Sequence, residues 1–206
     1  MPRSPAPPRL TDRKRAAIVD AAVAEFRSAG YEATSMDRIA ATAGVSKRTV
    51  YNHFPSKDAL FLHIVDALMA RGGDEHATPY RADAPLRPQL LELVRHKLRL
   101  LHDPDFADLA RVSIVAGLHS PELAHQLTTL LGAREHAMGS WIRAAAADGR
   151  LRTPDPAFAT QQLESLIKGA AFWPQVAMRM PSLDEAKQDA VAESAVEMFL
   201  GHYGGA

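Results

Sequence analysis

The segment from Thr34 to Lys57 (TSMDRIAATAGVSKRTVYNHFPSK) permits little besides two short helices set at an angle around Gly44. Ser35 offers a hydroxyl to the free amides that begin a first helix, in which Met36, Ile39, Ala40 and Ala43 turn to one face. Gly44 ends it, because glycine adopts the left-handed backbone of a C-terminal cap without steric cost. Val45 fills the angle, Ser46 caps the next helix, and Pro55 stops that helix.

The second helix, roughly Ser46 to His53, is expected to bury Val50 and Phe54 and to turn Lys47, Arg48, Thr49, Tyr51, Asn52 and His53 outward. Such side chains carry donors for phosphate oxygens and for base edges. Ser56 opens another helix whose first residue, Lys57, stands where it could hold a backbone phosphate. The order of these devices describes a helix-turn-helix and implies double-stranded DNA as a partner. Ser35 and Ser46 join the outward-facing residues and Lys57 as candidate contacts, and Lys47, Arg48 and Asn52 are the candidates for reading bases.

Here the chain resembles the TetR family of one-component bacterial regulators. Thr34, Ser35, Ile39, Ala40, Ala43, Gly44, Val45, Ser46, Tyr51, His53, Phe54 and Lys57 stand in the family's order, and the likeness extends upstream over Ala16 to Gly30 and Tyr31. The resemblance implies that Tyr51 touches a phosphate through its hydroxyl, although a core aromatic also fits, with Phe54 the better core candidate. Arg48 departs from the pattern, since many relatives carry a small residue there. An arginine on that turn reaches guanine O6 and N7 bidentately, so the operator preference of relatives does not carry over.

Charge supports a division of labour. Residues 1 to 60 hold ten Lys and Arg against six Asp and Glu, and the remainder holds fourteen against eighteen. Overall neutrality therefore covers a basic head on an acidic body, as expected when only the head approaches a polyanion. No cysteine is present, which excludes thiolate zinc sites, disulfides and thiol redox sensing. The nine histidines include no pair four residues apart, and His96 with His102, like His119 with His125, falls on opposing helix faces, so no metal site is expected. With no glycine-rich phosphate loop on a strand and no nucleophile elbow, neither enzyme chemistry nor a cofactor is expected. No long apolar run occurs and prolines crowd the start, so the expectation is a soluble, cytoplasmic protein without a membrane partner.

Residues 1 to 10 read as a disordered, Pro-rich basic arm, and Thr11 caps a helix that Gly30 closes. The helix-turn-helix domain then spans 11 to 57, and a connecting helix 58 to 71. From 72 to 206 a helical regulatory and dimerisation domain follows, with 72 to 85 as its linker. Its expected helices run from Leu86 to Leu101, from Asp105 to Leu118, from Pro121 to Ala147, and from Asp155 or Pro156 toward Pro174. The last opens on a capping box, Ser182 to Glu185. The fold class is thus all-α, an N-terminal three-helix DNA-binding domain followed by a C-terminal helical domain.

That C-terminal part is similar to the AefR-type domain of some TetR regulators, through Phe106-Ala-Asp-Leu-Ala-Arg-Val, the Gly149-Arg-Leu-Arg turn with Pro154-Asp-Pro, and Leu166-Ile-Lys-Gly-Ala. The likeness implies a homodimer built on residues 155 to 202, so a charge at Phe199 is expected to give monomers. It also implies a small-molecule effector held by the body. Arg111, Val115, Leu118, His119, Met138, Trp141, Phe158 and Phe172 are candidates for its wall, with Leu98 and Ile167 beside them. Each apolar one also fits plain core, and Trp141, Phe172 and Trp173 also fit dimer anchors. Arg111 and His119 stand out, since a polar group on a mainly apolar helix needs a partner. The expected role is a ligand-responsive repressor, against the alternative of a DNA-binding regulator whose body only dimerises or meets a protein partner.

Overall fold

A computed structural model describes residues 10–71, 79–132 and 137–205, and these are mainly helical, with no strand among them. The helices are α1 (Leu10–Ala33), α2 (Met36–Thr42), α3 (Lys47–His53), α4 (Lys57–Arg71), α5 (Leu86–Leu101) and α6 (Pro104–His119). They continue as α7 (Pro121–Gly132), α8 (Ala137–Ala147), α9 (Pro156–Ala171), α10 (Trp173–Met178) and α11 (Glu185–Tyr203).

Packing divides the chain into two units. The first takes in the chain up to Ala67 together with Val112–Leu131, the second Leu68–Arg111 and the chain from Gly132 onward. This departs from the expected boundary just after Arg71, which assigned everything beyond it to the body. Gly117 sits against Ala124, and these small residues let α6 and α7 approach closely across Ser120. Both α4 and α6 contribute residues to the two units.

In the first unit Ile18, Ala22 and Phe26 of α1, Ile39 of α2, Val50 of α3, and Leu60 and Phe61 of α4 are fully buried. Phe26, Tyr31 and Phe61 form an aromatic cluster, with Phe61 edge-on to Phe26 at 5.1 Å and 4.9 Å from Tyr31. Gly30, at φ 81° and ψ 169°, breaks the helical path of α1 as expected, though helical turns resume as far as Ala33. The helix begins at Leu10, so Thr11 lies inside its first turn rather than capping it. The corner that follows is held by Thr34, a buried hydroxyl donating to the Gly30 carbonyl at 2.8 Å.

In the second unit α5 packs against α8, α9 and α11. Its stripe of Leu90, Val94, Leu98 and Leu101 meets Trp141 and Ile142 of α8, Leu163 and Ile167 of α9 and Val196 of α11 in a buried core. Gln89, the neighbour of Leu90 on α5, is buried as well, and its amide donates to the carbonyls of Arg81, Ala84 and Pro85, all at 3.0 Å. Its oxygen accepts from Arg81 N–H and the indole of Trp141. Arg150 adds bonds to the Ala82 and Ala84 carbonyls at 2.9 Å, so residues 79–85, expected to be a plain linker, are pinned to the helical core.

Asp155 caps α9, accepting from the amides of Ala157 and Phe158 at 3.0 Å. The chain breaks at Phe172, beside Pro174, as the proline implies, and α10 follows. The expected capping box at Ser182 is corrected. Asp184 is the cap, its carboxylate taking the Lys187 amide at 2.8 Å from an extended backbone, and α11 starts at Glu185. The expected arm falls largely, and residues 133–136 of the expected 121 to 147 helix wholly, outside the described residues.

Candidate nucleic-acid interface

The helix-turn-helix forms as its caps dictate. Ser35 accepts from the Arg38 amide and Ser46 from the Thr49 amide, both at 3.2 Å, while Gly44 takes φ 65°. Val50 is fully buried and Phe54 nearly so, which fixes the rotation of α3 and sends Arg48, Tyr51 and Asn52 outward. Arg48 and Asn52 form no hydrogen bond or ion pair with the described residues. Their donors are available to a ligand on that face. Tyr51 is 45 % exposed, so the core alternative for it falls away.

The other candidates are partly engaged. The Thr49 hydroxyl pairs with Ser46 Oγ at 2.8 Å, so these two side chains cap the helix. Lys47 Nζ reaches Asp37 of α2 at 2.8 Å, and the hydrogen bond and charge of that carboxylate hold the ammonium above the ordinary lysine range. Both partners are exposed, so such a pair stabilises little and yields readily to a phosphate. His53 is half-exposed at the end of α3. Lys57 is half-buried, and its ammonium donates to the Tyr31 and Thr34 carbonyls at 2.8 and 3.1 Å, so at most one of its three protons is left for a phosphate. Its first role is therefore in the fold.

The residues expected to wall an effector site divide into buried and exposed ones. Leu98, Met138, Trp141, Ile167 and Phe172 are buried. Val115, Leu118 and Phe158 are 52 %, 78 % and 53 % exposed, so these three face out and line no interior wall. His119 is likewise exposed and spends its Nδ1 on the Val115 carbonyl of its own helix at 2.8 Å. Of the two polar candidates only Arg111 turns inward, pairing with Asp108 at 2.6 Å and with the Gln175 carbonyl at 3.2 Å. Sequence reasoning weighed His102 only for a metal site and passed over Gln175, which joins this cluster with it, and Gln89. The last had a legible signal, standing one turn before Leu93 and directly before Leu90 and Leu91.

Comparison with known proteins agrees with this arrangement. Residues 18–64 match the family model described as bacterial regulatory proteins of the tetR family, and residues 88–205 match the C-terminal domain of AefR-like transcriptional repressors. The regulator RutR of Escherichia coli K12 is 29 % identical over 154 residues, spanning 72 % of this chain and 69 % of its own. A TetR family regulator from Pseudomonas syringae pv. tomato DC3000 superposes with a TM-score of 0.83 at 50 % identity, over 95 % of this chain and 99 % of that one. The flavonoid-responsive regulator FrrA gives 0.76 at 27 % identity, over 94 % and 98 %.

Proposed function

The chain belongs to the TetR family of bacterial transcriptional regulators, DNA-binding proteins rather than enzymes, and from that premise we propose that it is a homodimeric repressor released from a near-palindromic operator by a small, largely apolar effector. The observation that carries the reading is the pair Arg48 and Asn52, exposed and unengaged among the described residues on a helix whose rotation Val50 and Phe54 fix. Two copies would set their α3 helices in successive major grooves about one helical turn apart, with Ser35, Tyr51, His53 and Lys57 on phosphates. Bound there, in the cytoplasm, the dimer would exclude polymerase.

Dimerisation is supported by α9 and α11, which pack together and each keep an open face. Phe158 and Leu166 are exposed on α9, and on α11 Met198 stands in line with exposed Ala190, Ser194 and Gly201, small residues that admit a second helix closely. Effector response is supported by the likeness to a flavonoid-responsive regulator and by the polar cluster around Arg111. The proposed route is α4, whose residues the two units share. A coupling of about 1–3 kcal/mol along it would weaken operator binding roughly 5- to 150-fold.

The test is selection of genomic fragments by the purified protein, followed by a salt titration on the best site. A palindromic site whose affinity falls steeply with salt is the expected result. No enrichment over random DNA would overturn the operator reading.

A further inference from the structure

The Arg111 guanidinium joins α6 to α10. Nη1 donates to Asp108 at 2.6 Å and Nη2 to the Gln175 carbonyl at 3.2 Å, while Nε is buried and meets no acceptor among the described residues. The neighbours of that N–H are already committed. Gln175 is 4 % exposed, and its side-chain amide lies 3.5 Å from His102 Nε2. His102 Nδ1 is 2.7 Å from the Leu98 carbonyl, which only accepts, so Nδ1 carries the proton and Nε2 takes one from Gln175. The same meeting of α6 and α10 sets the Phe106 ring 6.2 Å from that of Phe172. A half-buried guanidinium whose Nε–H is itself buried thus stands within a polar cluster, on a helix that also carries the buried Phe106 ring.

We propose that Arg111 is the polar anchor of the effector site and that its Nε–H takes the uncharged carbonyl oxygen of an aromatic ketone, ester or amide. This rests on the effector reading above and deepens it. Charge selects among ligand chemistries. Asp108 already matches the guanidinium, so a carboxylate ligand would bring a second anion into a half-buried site and lose its hydration without a counter-charge. A hydrocarbon would leave the N–H buried and unpaired. A carbonyl oxygen completes the guanidinium at no cost in charge, and the rings of Phe106 and Phe172 suit an aromatic body.

Three probes of nearly one shape separate these cases on the full-length chain: acetophenone, benzoate and ethylbenzene, titrated by calorimetry. Acetophenone is expected to bind roughly tenfold tighter than either of the others, the worth of one hydrogen bond to a charged donor. Arg111→Lys keeps the charge beside Asp108 but has no Nε–H, and should erase the ketone's advantage with the melting temperature held. If that variant does not fold, the ranking of probes on the native chain decides. Tightest binding by benzoate, equal binding of ketone and hydrocarbon, an advantage that survives Arg111→Lys, or no binding by any probe would each overturn the site.

Operator affinity measured in the same samples keeps the two readings apart. Release of DNA by a ligand indifferent to Arg111→Lys removes this site and leaves the effector reading. Ketone binding that spares operator affinity keeps the site and removes its regulatory role.

Discussion

The ammonium of Lys57 lies 4.2 Å from the centre of the Tyr31 ring and donates to that residue's own carbonyl at 2.8 Å. The neighbouring Asp58 accepts from the Tyr31 hydroxyl, and burial, then that carboxylate, pushes the phenol well above its ordinary pKa. The first turn of α4 therefore clamps the corner between α1 and α2 on which the recognition helix is mounted.

Lys57→Ala should on this account destabilise the protein by about 1–3 kcal/mol, through two carbonyls losing their donor and a ring losing its cation. It should also weaken binding to every DNA sequence alike. Urea denaturation beside operator titration checks this. An unchanged midpoint would mean the clamp contributes nothing, and Lys57 would then be a phosphate contact alone.

Arg48→Ala is expected to relax preference at one operator position at a cost of about 1–3 kcal/mol there, and Asp37→Asn to act in the opposite sense. Without its carboxylate, the Lys47 ammonium is free and one repulsive charge near the phosphates is gone, so binding to specific and random DNA should tighten together. Competition assays with single-position operator variants distinguish the two. Equal loss on specific and random DNA for Arg48→Ala would remove its base-reading role.

Phe199 illustrates why the proposed dimer face was harder to read than the head. Sequence spacing places Met198, Phe199 and Leu200 side by side, yet only Met198 is exposed, while Phe199 is buried and packs on Tyr203 at 4.9 Å. Met198→Glu should therefore yield a folded monomer by analytical ultracentrifugation, whereas Phe199→Glu, which buries an unpaired charge, should unfold the chain. A dimeric Met198→Glu protein would move the seam away from α11.

The head was legible because its rules are local. Ser35, Gly44 and Ser46 act within four residues of where they stand, and the structure returns each in its expected cap. The body depends on contacts between segments far apart in the chain. Nothing near Val115 or Leu118 tells that α6 turns them outward, and nothing near Gln175 tells that Arg111, 64 residues earlier, will donate to its carbonyl. Helix existence follows from period, whereas which apolar face is covered follows from the partner helix, and a single chain does not print its partner.

His63 makes the stability of the first unit depend on pH. Arg15 Nη1 lies 3.0 Å from His63 Nε2 and its guanidinium 4.8 Å over the Phe54 ring, which is itself 5.4 Å from the imidazole. Burial first, then the Arg15 charge, lowers the His63 pKa, with Asp66 acting weakly the other way. In the unfolded chain the imidazole returns to about 6.5. Between the lowered folded value and that one, the unfolded state binds more protons, so stability is fully present above about pH 6.5 and falls as the pH drops below it. Thermal melting followed from about pH 7.5 down to about pH 5 should show a steeper decline for the native protein than for His63→Gln, which keeps an acceptor for Arg15 but does not titrate. Parallel curves would show that His63 is protonated equally in both states and that the Arg15 contact does not hold it neutral.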